Sequence, residues 1–164
     1  MSRWFKILII IAIGFALWSY WPKPDVDVLE NSQGSATEAV HQFKGYTITN
    51  LAPYSGEFRV LSKENYSLGR EAELSPVDFA LGWGAMAEPS VYQQLSIRQS
   101  GRWYHWRYEN NPPIPVNEIS THSANTHLIP ATADIAQKLK NIDKDDLISL
   151  KGQLVEVTAT DGWT

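Results

Sequence analysis

The chain has 164 residues, a length that suits one domain together with a membrane anchor. Its formal charge is −4, but Arg3, Lys6 and Lys23 precede the first acidic residue, Asp25, so the remaining chain holds 11 bases and 18 acids, a charge of −7. That balance disfavours nucleic-acid binding, and the absence of cysteine excludes disulfides, thiolate metal sites and a cysteine nucleophile.

An apolar run opens the chain, with no polar side chain between residues 7 and 18. The wider segment 4–21 would extend about 27 Å as a helix, at ~1.5 Å per residue, which just crosses the hydrocarbon of a bilayer. Basic residues precede the run and acidic residues follow it. By the positive-inside rule, residues 1–3 lie in the cytoplasm and the domain lies in the periplasm, held by a bacterial inner membrane.

A cleaved signal peptide is the alternative to an anchor, because it has the same charge polarity and a short apolar core. Cleavage requires small residues just beyond that core, whereas residues 17–24 contain three aromatic residues and two prolines. The sequence therefore favours an uncleaved anchor over residues 4–21. The polar residues 22–44 are expected to form a linker to a domain that spans residues 45–164.

The first part of this domain is expected to contain strands and then a helix. Apolar and polar side chains alternate from Tyr46 onward, a pattern typical of half-buried strands. Ser75 then matches a helix N-cap, Pro76 the first helical position, and Asp78 an acidic residue of the first turn. With apolar residues spaced three and four apart, this predicts a helix that reaches Gly84.

A β-hairpin is predicted next. The runs 91–99 and 102–108 flank Ser100-Gly101, and a two-residue turn with glycine between alternating runs is a good hairpin signal. Because side chains alternate across a strand, the second run would place aromatic and basic residues on both faces. One face would carry Trp103, His105 and Arg107, and the other Arg102, Tyr104, Trp106 and Tyr108.

The C-terminal part is expected to hold a second helix and a bent strand. Thr132 suits the N-cap of a helix to Asn141, and the alternating run 147–157 has a glycine midway, as in a strand that bends round a small barrel. These elements predict an α+β fold: a transmembrane helix followed by a mainly antiparallel, OB-like barrel with two helices. Asp161 and Gly162 predict a hairpin turn whose returning strand is lacking, which would leave the preceding strand edge open.

Three segments resemble a family of short, uncharacterised bacterial proteins with an N-terminal membrane anchor. The segments are residues 75–84, 123–131 and 150–155, within a resemblance that covers residues 58–164. In that family the domain continues past the Asp-Gly-Trp turn, so the resemblance implies one further strand after Trp163. It implies no activity.

Basic and aromatic residues interleave along the predicted hairpin and form the first candidate site. Such a surface can hold single-stranded nucleic acid, sugars or acidic peptides by stacking and charge. The alternative is a strand pair in which the rings of one face belong to the core. In that case the basic and aromatic residues of the other face still point outward. The candidate binding residues are Arg98, Arg102, Trp103, His105, Trp106, Arg107 and Tyr108.

Two histidines form the second candidate site. His122 and His127 could meet a metal ion, with His105 or Asp78 as a third ligand, although their spacing fits no established zinc pattern. Ser123 is poorly placed as a nucleophile for His122, because adjacent residues of an extended segment point to opposite sides. No hydrolase, zinc-protease, phosphate-loop or dinucleotide motif occurs, and no cofactor is expected.

The sequence thus favours a membrane-anchored, non-catalytic periplasmic domain that binds a protein partner or an envelope component. A protein partner could contact the hairpin or add a strand to the open C-terminal edge. A metal-dependent or hydrolytic enzyme that uses His122, His127 and His105 is the first alternative. A single-stranded nucleic-acid-binding OB-like domain is the second, and the charge of −7 argues against it.

Overall fold

The computed structural model describes residues 26–28 and 40–164. The expected cytoplasmic residues 1–3, the expected anchor over residues 4–21 and the larger part of the expected linker lie outside the described residues. Within the described ranges, no helix combines the length and the apolar character needed to cross a membrane.

The described residues form eight strands, four short α-helices and one 3₁₀ helix. The strands are β1 (Val26–Val28), β2 (Val40–Phe43), β3 (Tyr46–Asn65), β4 (Val77–Gly82), β5 (Ser96–Ser100), β6 (Trp103–Arg107), β7 (Ser123–Leu128) and β8 (Leu147–Ala159). The helices are α1 (Arg70–Leu74), α2 (Pro89–Tyr92), α3 (Val116–Thr121) and α4 (Ala133–Asn141), and the 3₁₀ helix spans Gly84–Ala87.

Six strands form the main sheet in the order β1-β8-β3-β4-β7, with β2 also paired to β3. All pairs are antiparallel except β1 with β8. β3 serves three neighbours because it has 20 residues and bends at two irregularities, near Leu51 and Leu61, where its register shifts. The fold is α+β with mainly antiparallel sheets, as predicted, but the six described strands of the main sheet close no barrel.

The prediction of a helix from Ser75 to Gly84 is wrong, because these residues contain β4, an internal strand of the main sheet. All six residues of β4 are buried, since α4 covers one face of the sheet and the β5–β6 hairpin covers the other. A strand that is buried on both faces has a nearly continuous apolar sequence. The spacing of apolar residues in such a sequence does not distinguish a strand from a buried helix. Asp78 is therefore a core residue and caps no helix.

The first face of the main sheet packs against α4. Phe79 of β4 and Leu139 of α4 belong to one buried cluster. The predicted second helix is confirmed as α4, and its cap is the Thr132 hydroxyl, which accepts a hydrogen bond from the backbone N–H of Ile135 at 3.2 Å. The Lys63 ammonium donates to two carbonyl groups at the C-terminal end of α4 and so stabilises the helix terminus.

The second face packs against the β5–β6 hairpin, the 3₁₀ helix, α2 and α3. Gly82 allows the 3₁₀ helix to lie close to β4, because a Cβ atom at this position would come within 2.6 Å of the Met86 carbonyl oxygen. The buried residues of this second core are Leu61, Ala80, Met86, Tyr92, Leu95 and Ile119, with Ile97, Tyr104 and Trp106 of the hairpin packed against them.

The predicted hairpin is present, with its turn one residue further along the chain. Ser100 pairs with Trp103, so the two-residue turn is Gly101-Arg102, whereas the sequence pattern predicts Ser100-Gly101. Both turn residues have positive φ angles, 57° for Gly101 and 65° for Arg102, as a type I′ turn requires. A side chain disfavours this backbone conformation, so the contacts of Arg102 must stabilise it.

Two strands form inside the stretch expected to be a linker. β1 runs parallel to residues 148–150 of β8, and β2 is antiparallel to the first residues of β3. Valine-rich segments such as β1 suit strands, and both pairings satisfy backbone groups along the main sheet. The sheet thus includes residues that precede the expected start of the domain at residue 45.

The expected turn after β8 also forms. The N–H of Gly162 donates to the carbonyl of Ala159 at 3.0 Å, and the N–H of Ala159 donates to the carbonyl of Trp163 at 2.8 Å. The Trp163 ring then packs edge-on against Tyr46, with 5.7 Å between ring centroids. The residues after β8 therefore fold back onto the first residue of β3.

Candidate functional site

The outward side of the hairpin is the main candidate surface. Three cross-strand pairs lie there, Ser96–Arg107, Arg98–His105 and Ser100–Trp103, and all six side chains are exposed. These six residues are termed the outer face. The outer face carries two arginines, a histidine and a tryptophan that leaves 72% of its surface in solvent, and it has no acidic residue.

The seven predicted binding residues divide between the two sides of the hairpin, because side chains alternate along β5 and β6. Those exposed on the outer face are Arg98, Trp103, His105 and Arg107. Tyr108 is also exposed, but it follows β6 and stacks on Trp106. The two that turn inward are Trp106, which packs on the second core, and Arg102, which reaches the main sheet.

Arg102 attaches the tip of the hairpin to the main sheet. Its Nη1 donates to Oδ1 of Asp78 at 3.1 Å, its Nη2 donates to the carbonyl of Ser75 at 2.9 Å, and its Nε lies 3.5 Å from Glu71. The guanidinium stacks on the Tyr66 ring, 4.0 Å from the centroid. Only 17% of the Arg102 side chain and none of the Asp78 side chain is exposed. Each buried charge is therefore stabilised by the opposite charge of its partner. These contacts explain the left-handed backbone of Arg102.

The carboxylate of Asp78 has further partners. Nδ1 of His127 lies 2.8 Å from Oδ2, and the Ser75 hydroxyl donates to Oδ1 at 3.2 Å. The Asn125 amide lies 3.5 Å from Oδ2 and donates to the carbonyl of Arg102 at 3.0 Å. Asp78, Ser75, Arg102, Asn125 and His127, termed the Asp78 cluster, join β4, β7 and the hairpin turn.

His127 is the exposed member of the Asp78 cluster. Half of its side chain, 51%, is exposed, while its Nδ1 contacts the fully buried Asp78 carboxylate. A histidine held against a buried carboxylate is the arrangement of a general base, and the same arrangement can bind a ligand.

The three histidines predicted as metal ligands do not come together. His127 contacts Asp78, whereas His122 lies at the opposite end of β7, with its Nδ1 3.0 Å from the carbonyl of Glu118. His105 belongs to the outer face of the hairpin. In the part of the chain that the structure describes, no group of three His, Asp or Glu side chains is placed to hold a metal ion.

Ser123 links the hairpin to α3. Its buried hydroxyl donates to the carbonyl of Ile119 at 2.6 Å and accepts from the Tyr104 hydroxyl at 3.3 Å. Burial raises the pKa of Tyr104, and the hydrogen bond to Ser123 opposes that shift. Ser123 therefore has structural partners on both sides, and no contact pairs it with His122 as a nucleophile.

The sequence pattern does not predict the partners that hold the hairpin. The hydroxyl of Tyr66 accepts from the backbone N–H of Arg102 at 3.2 Å, and burial, followed by the negative charge of Asp78, raises the pKa of Tyr66. One signal was present: the apolar run 77–82 contains a single aspartate. In a buried strand that aspartate requires a cationic partner, which the interleaved arginines of the hairpin could supply.

A depression of about 860 Å³ lies at the base of the hairpin. It is lined by residues 93–96, which connect α2 to β5, and by residues 107–111, which end β6 and follow it. This surface is termed the base depression. Arg107 and Ser96 belong to both it and the outer face, so the two surfaces are continuous.

Comparisons of this chain with protein-family models, with curated proteins and with solved structures find no match.

Proposed function

We propose that the chain is a single-pass, membrane-anchored binding module whose periplasmic domain docks a protein partner or an envelope component and catalyses no reaction. The docking surface is the outer face of the β5–β6 hairpin. The OB-like arrangement remains part of this proposal, and it is supported by the bent strand β3, which pairs with β2, β4 and β8.

The exposure of Trp103 carries the proposal. A tryptophan buries a large apolar area when it docks, and tryptophan and arginine are the residues that most often dominate binding energy at interfaces. Trp103 leaves 72% of its surface in solvent, with Arg98 and Arg107 on the same face. A partner that covers this face would desolvate the ring and gain the charged contacts around it.

The charges of the outer face indicate the chemistry of the partner. Arg98, Arg107 and His105 form a basic patch without an acid, on a domain whose net charge is negative. Such a patch attracts acidic groups and orients them during encounter. The partner is therefore expected to present acidic residues or anionic groups around an apolar contact for Trp103.

Because the hairpin is attached to the rest of the domain, its outer face is already ordered before a partner binds. Arg102 at the tip is paired with the buried Asp78, and Trp106 and Tyr104 pack into the second core. A surface that is already ordered loses little conformational entropy when a partner docks. The buried side of the hairpin thus preorganises the exposed side.

Photo-crosslinking in intact cells tests the outer face. A photoreactive amino acid at Ser100, the cross-strand neighbour of Trp103, is expected to yield a defined crosslinked product in the full chain. Trp103→Ala should remove most of this product, because a docked tryptophan contributes ~2 kcal/mol or more. Leu68→Ala is the matched control, because Leu68 is 89% exposed and lies between β3 and α1, outside this surface. Equal yields from the Trp103 and Leu68 variants would contradict the proposal.

The edge of β8 supports a second contact with a protein partner. β1 pairs with residues 148–150 only, and no other described strand pairs with the outer edge of residues 151–159. An open strand edge can accept a strand from another chain. A proline at Val155 that leaves the crosslinked product unchanged would assign the whole contact to the outer face.

The enzymatic alternative has one observation in its favour, the 2.8 Å contact between His127 and Asp78. Hydrolysis of a model carboxylic ester by the full chain, abolished in His127→Ala and retained in His105→Ala, would favour this alternative over a binding module. Equal background rates in both variants would support the binding module.

A further inference from the structure

The base depression has polar groups that the fold does not use. Carboxamides line it from both sides, and each carries one acceptor oxygen and two donor hydrogens. The Gln94 amide donates to the carbonyl of Ser90, whereas the side chains of Asn110 and Asn111 form no hydrogen bond with any described residue. Neighbouring donors and acceptors of this kind match the hydroxyl groups of a sugar ring, which both donate and accept.

The charges of the base depression select against a polyanion. Arg107 and Glu109 are the two charged residues in its lining, and they balance. A polyanionic ligand would find one cation and be repelled by the adjacent carboxylate. An uncharged ligand meets no such penalty, and both charged side chains can form hydrogen bonds with its hydroxyl groups.

Tyr108 supplies an aromatic surface at the same place. Its side chain is partly exposed, at 37%, and its ring stacks on Trp106, with 6.4 Å between centroids and 21° between planes. Trp106 packs on the second core, so it fixes the orientation of the Tyr108 ring. The C–H face of a pyranose ring packs against such an aromatic face and buries apolar area.

We infer that the base depression binds an uncharged saccharide unit of an envelope glycan. The inference rests on the proposed function and names the ligand of an adjoining part of the same surface. The volume of about 860 Å³ lies within the ~300–1,000 Å³ of ordinary ligand sites. Amides on both sides, balanced charges and one fixed aromatic ring together define the saccharide class.

Titration of the full chain in detergent with the uncharged disaccharide N,N′-diacetylchitobiose, followed by saturation-transfer NMR, tests this inference. We expect saturable binding with a dissociation constant on the order of 1 mM. Tyr108→Ala and Asn111→Ala should each weaken binding about tenfold, and Tyr108→Phe should retain it, because the ring face makes the contact. Gln153→Ala is the matched control, since Gln153 is an exposed amide on β8.

Two results would overturn the inference. They are the absence of saturation at tenfold higher disaccharide concentration and tighter binding of a sulfated disaccharide. If diacetylchitobiose fails to bind while Trp103→Ala still abolishes the crosslinked product at Ser100, the proposed function holds and the saccharide assignment is wrong. If the disaccharide binds and Trp103→Ala leaves the crosslinked product at Ser100 unchanged, the outer face is not the docking surface and the saccharide site holds.

Discussion

At the scale of single residues, the ion pair between Asp78 and Arg102 is the contact on which the candidate surface depends. The Asp78 carboxylate is fully buried, and the Arg102 side chain is 17% exposed. Removing one partner of a buried pair leaves an uncompensated charge, which costs more than the pair itself contributes. Because Arg102 is also a turn residue with φ of 65°, loss of the pair would also remove the contact that holds the turn.

Asp78→Asn is expected to lower the free energy of unfolding by roughly 3–5 kcal/mol. Arg102→Gln should destabilise the domain at least as much, because the Asp78 carboxylate that it leaves without its cation is fully buried, whereas the arginine that Asp78→Asn leaves is partly exposed. The double variant should lose less than the sum of the two single variants. Urea unfolding of the full chain in detergent measures all three, with Glu156→Gln, an exposed acid on β8, as the control. Additive losses would show that the two charges do not act as a pair.

At the scale of elements, Arg70 of α1 links the turn after β8 to the start of β3. Its Nη atoms donate to both carboxylate oxygens of Asp161, at 2.7 and 3.0 Å, and its Nε donates to the Tyr46 hydroxyl at 3.0 Å. The guanidinium also lies over the rings of Tyr46 and Trp163, 5.2 and 5.0 Å from their centroids. Three elements that are distant in sequence therefore meet at one arginine.

This link predicts a pH dependence of stability. The hydrogen bonds from Arg70 hold the pKa of Asp161 below its ordinary value. A carboxyl group whose pKa is lower in the folded state stabilises the fold above its unfolded pKa of about 3.9, and this contribution is lost as pH falls through the folded pKa. Asp161→Asn should therefore lower Tm slightly near neutral pH, because the pair is exposed.

The difference in Tm between the parent chain and Asp161→Asn should shrink as the pH falls below about 4. Thermal unfolding followed by circular dichroism across this pH range measures it, with Asp134→Asn as a control carboxylate that is exposed and lacks an arginine partner among the described contacts. A difference that stays constant with pH would mean that the ionised form of Asp161 contributes no stability.

Local signals predicted some elements and failed for others. The hairpin and α4 were predictable because their turn residues and cap lie within a few positions of the residues they organise. β4 was not predictable, because Asp78 is paired with Arg102 and the apolar residues of β4 pack against α4. Both partners are far along the chain. Sequence alternation assigned the two sides of the hairpin correctly, but it could not tell that Arg102 leaves the surface to pair with a buried carboxylate.

At the scale of the whole molecule, the two flanks of the apolar segment differ in charge. Arg3 and Lys6 lie at its N-terminal side, and the chain beyond residue 23 carries a charge of −7. Translocation favours the flank with fewer basic residues, so the domain that bears the outer face and the base depression is expected in the periplasm. There it would meet envelope glycans and the exported parts of membrane proteins, as both proposed surfaces require.

A pair of reporters fused after Thr164 tests this orientation. A reporter that is active only in the cytoplasm should be inactive there, and one that requires export should be active, because the charge asymmetry orients the anchor with its N-terminus inside. Replacing Arg3 and Lys6 by glutamate removes the asymmetry and should lower the fraction of exported reporter. The control variant, Arg3→Lys with Lys6→Arg, keeps both positive charges and should leave that fraction unchanged. Cytoplasmic reporter activity in the unaltered chain would place the domain on the other side of the membrane, where envelope glycans do not reach the base depression.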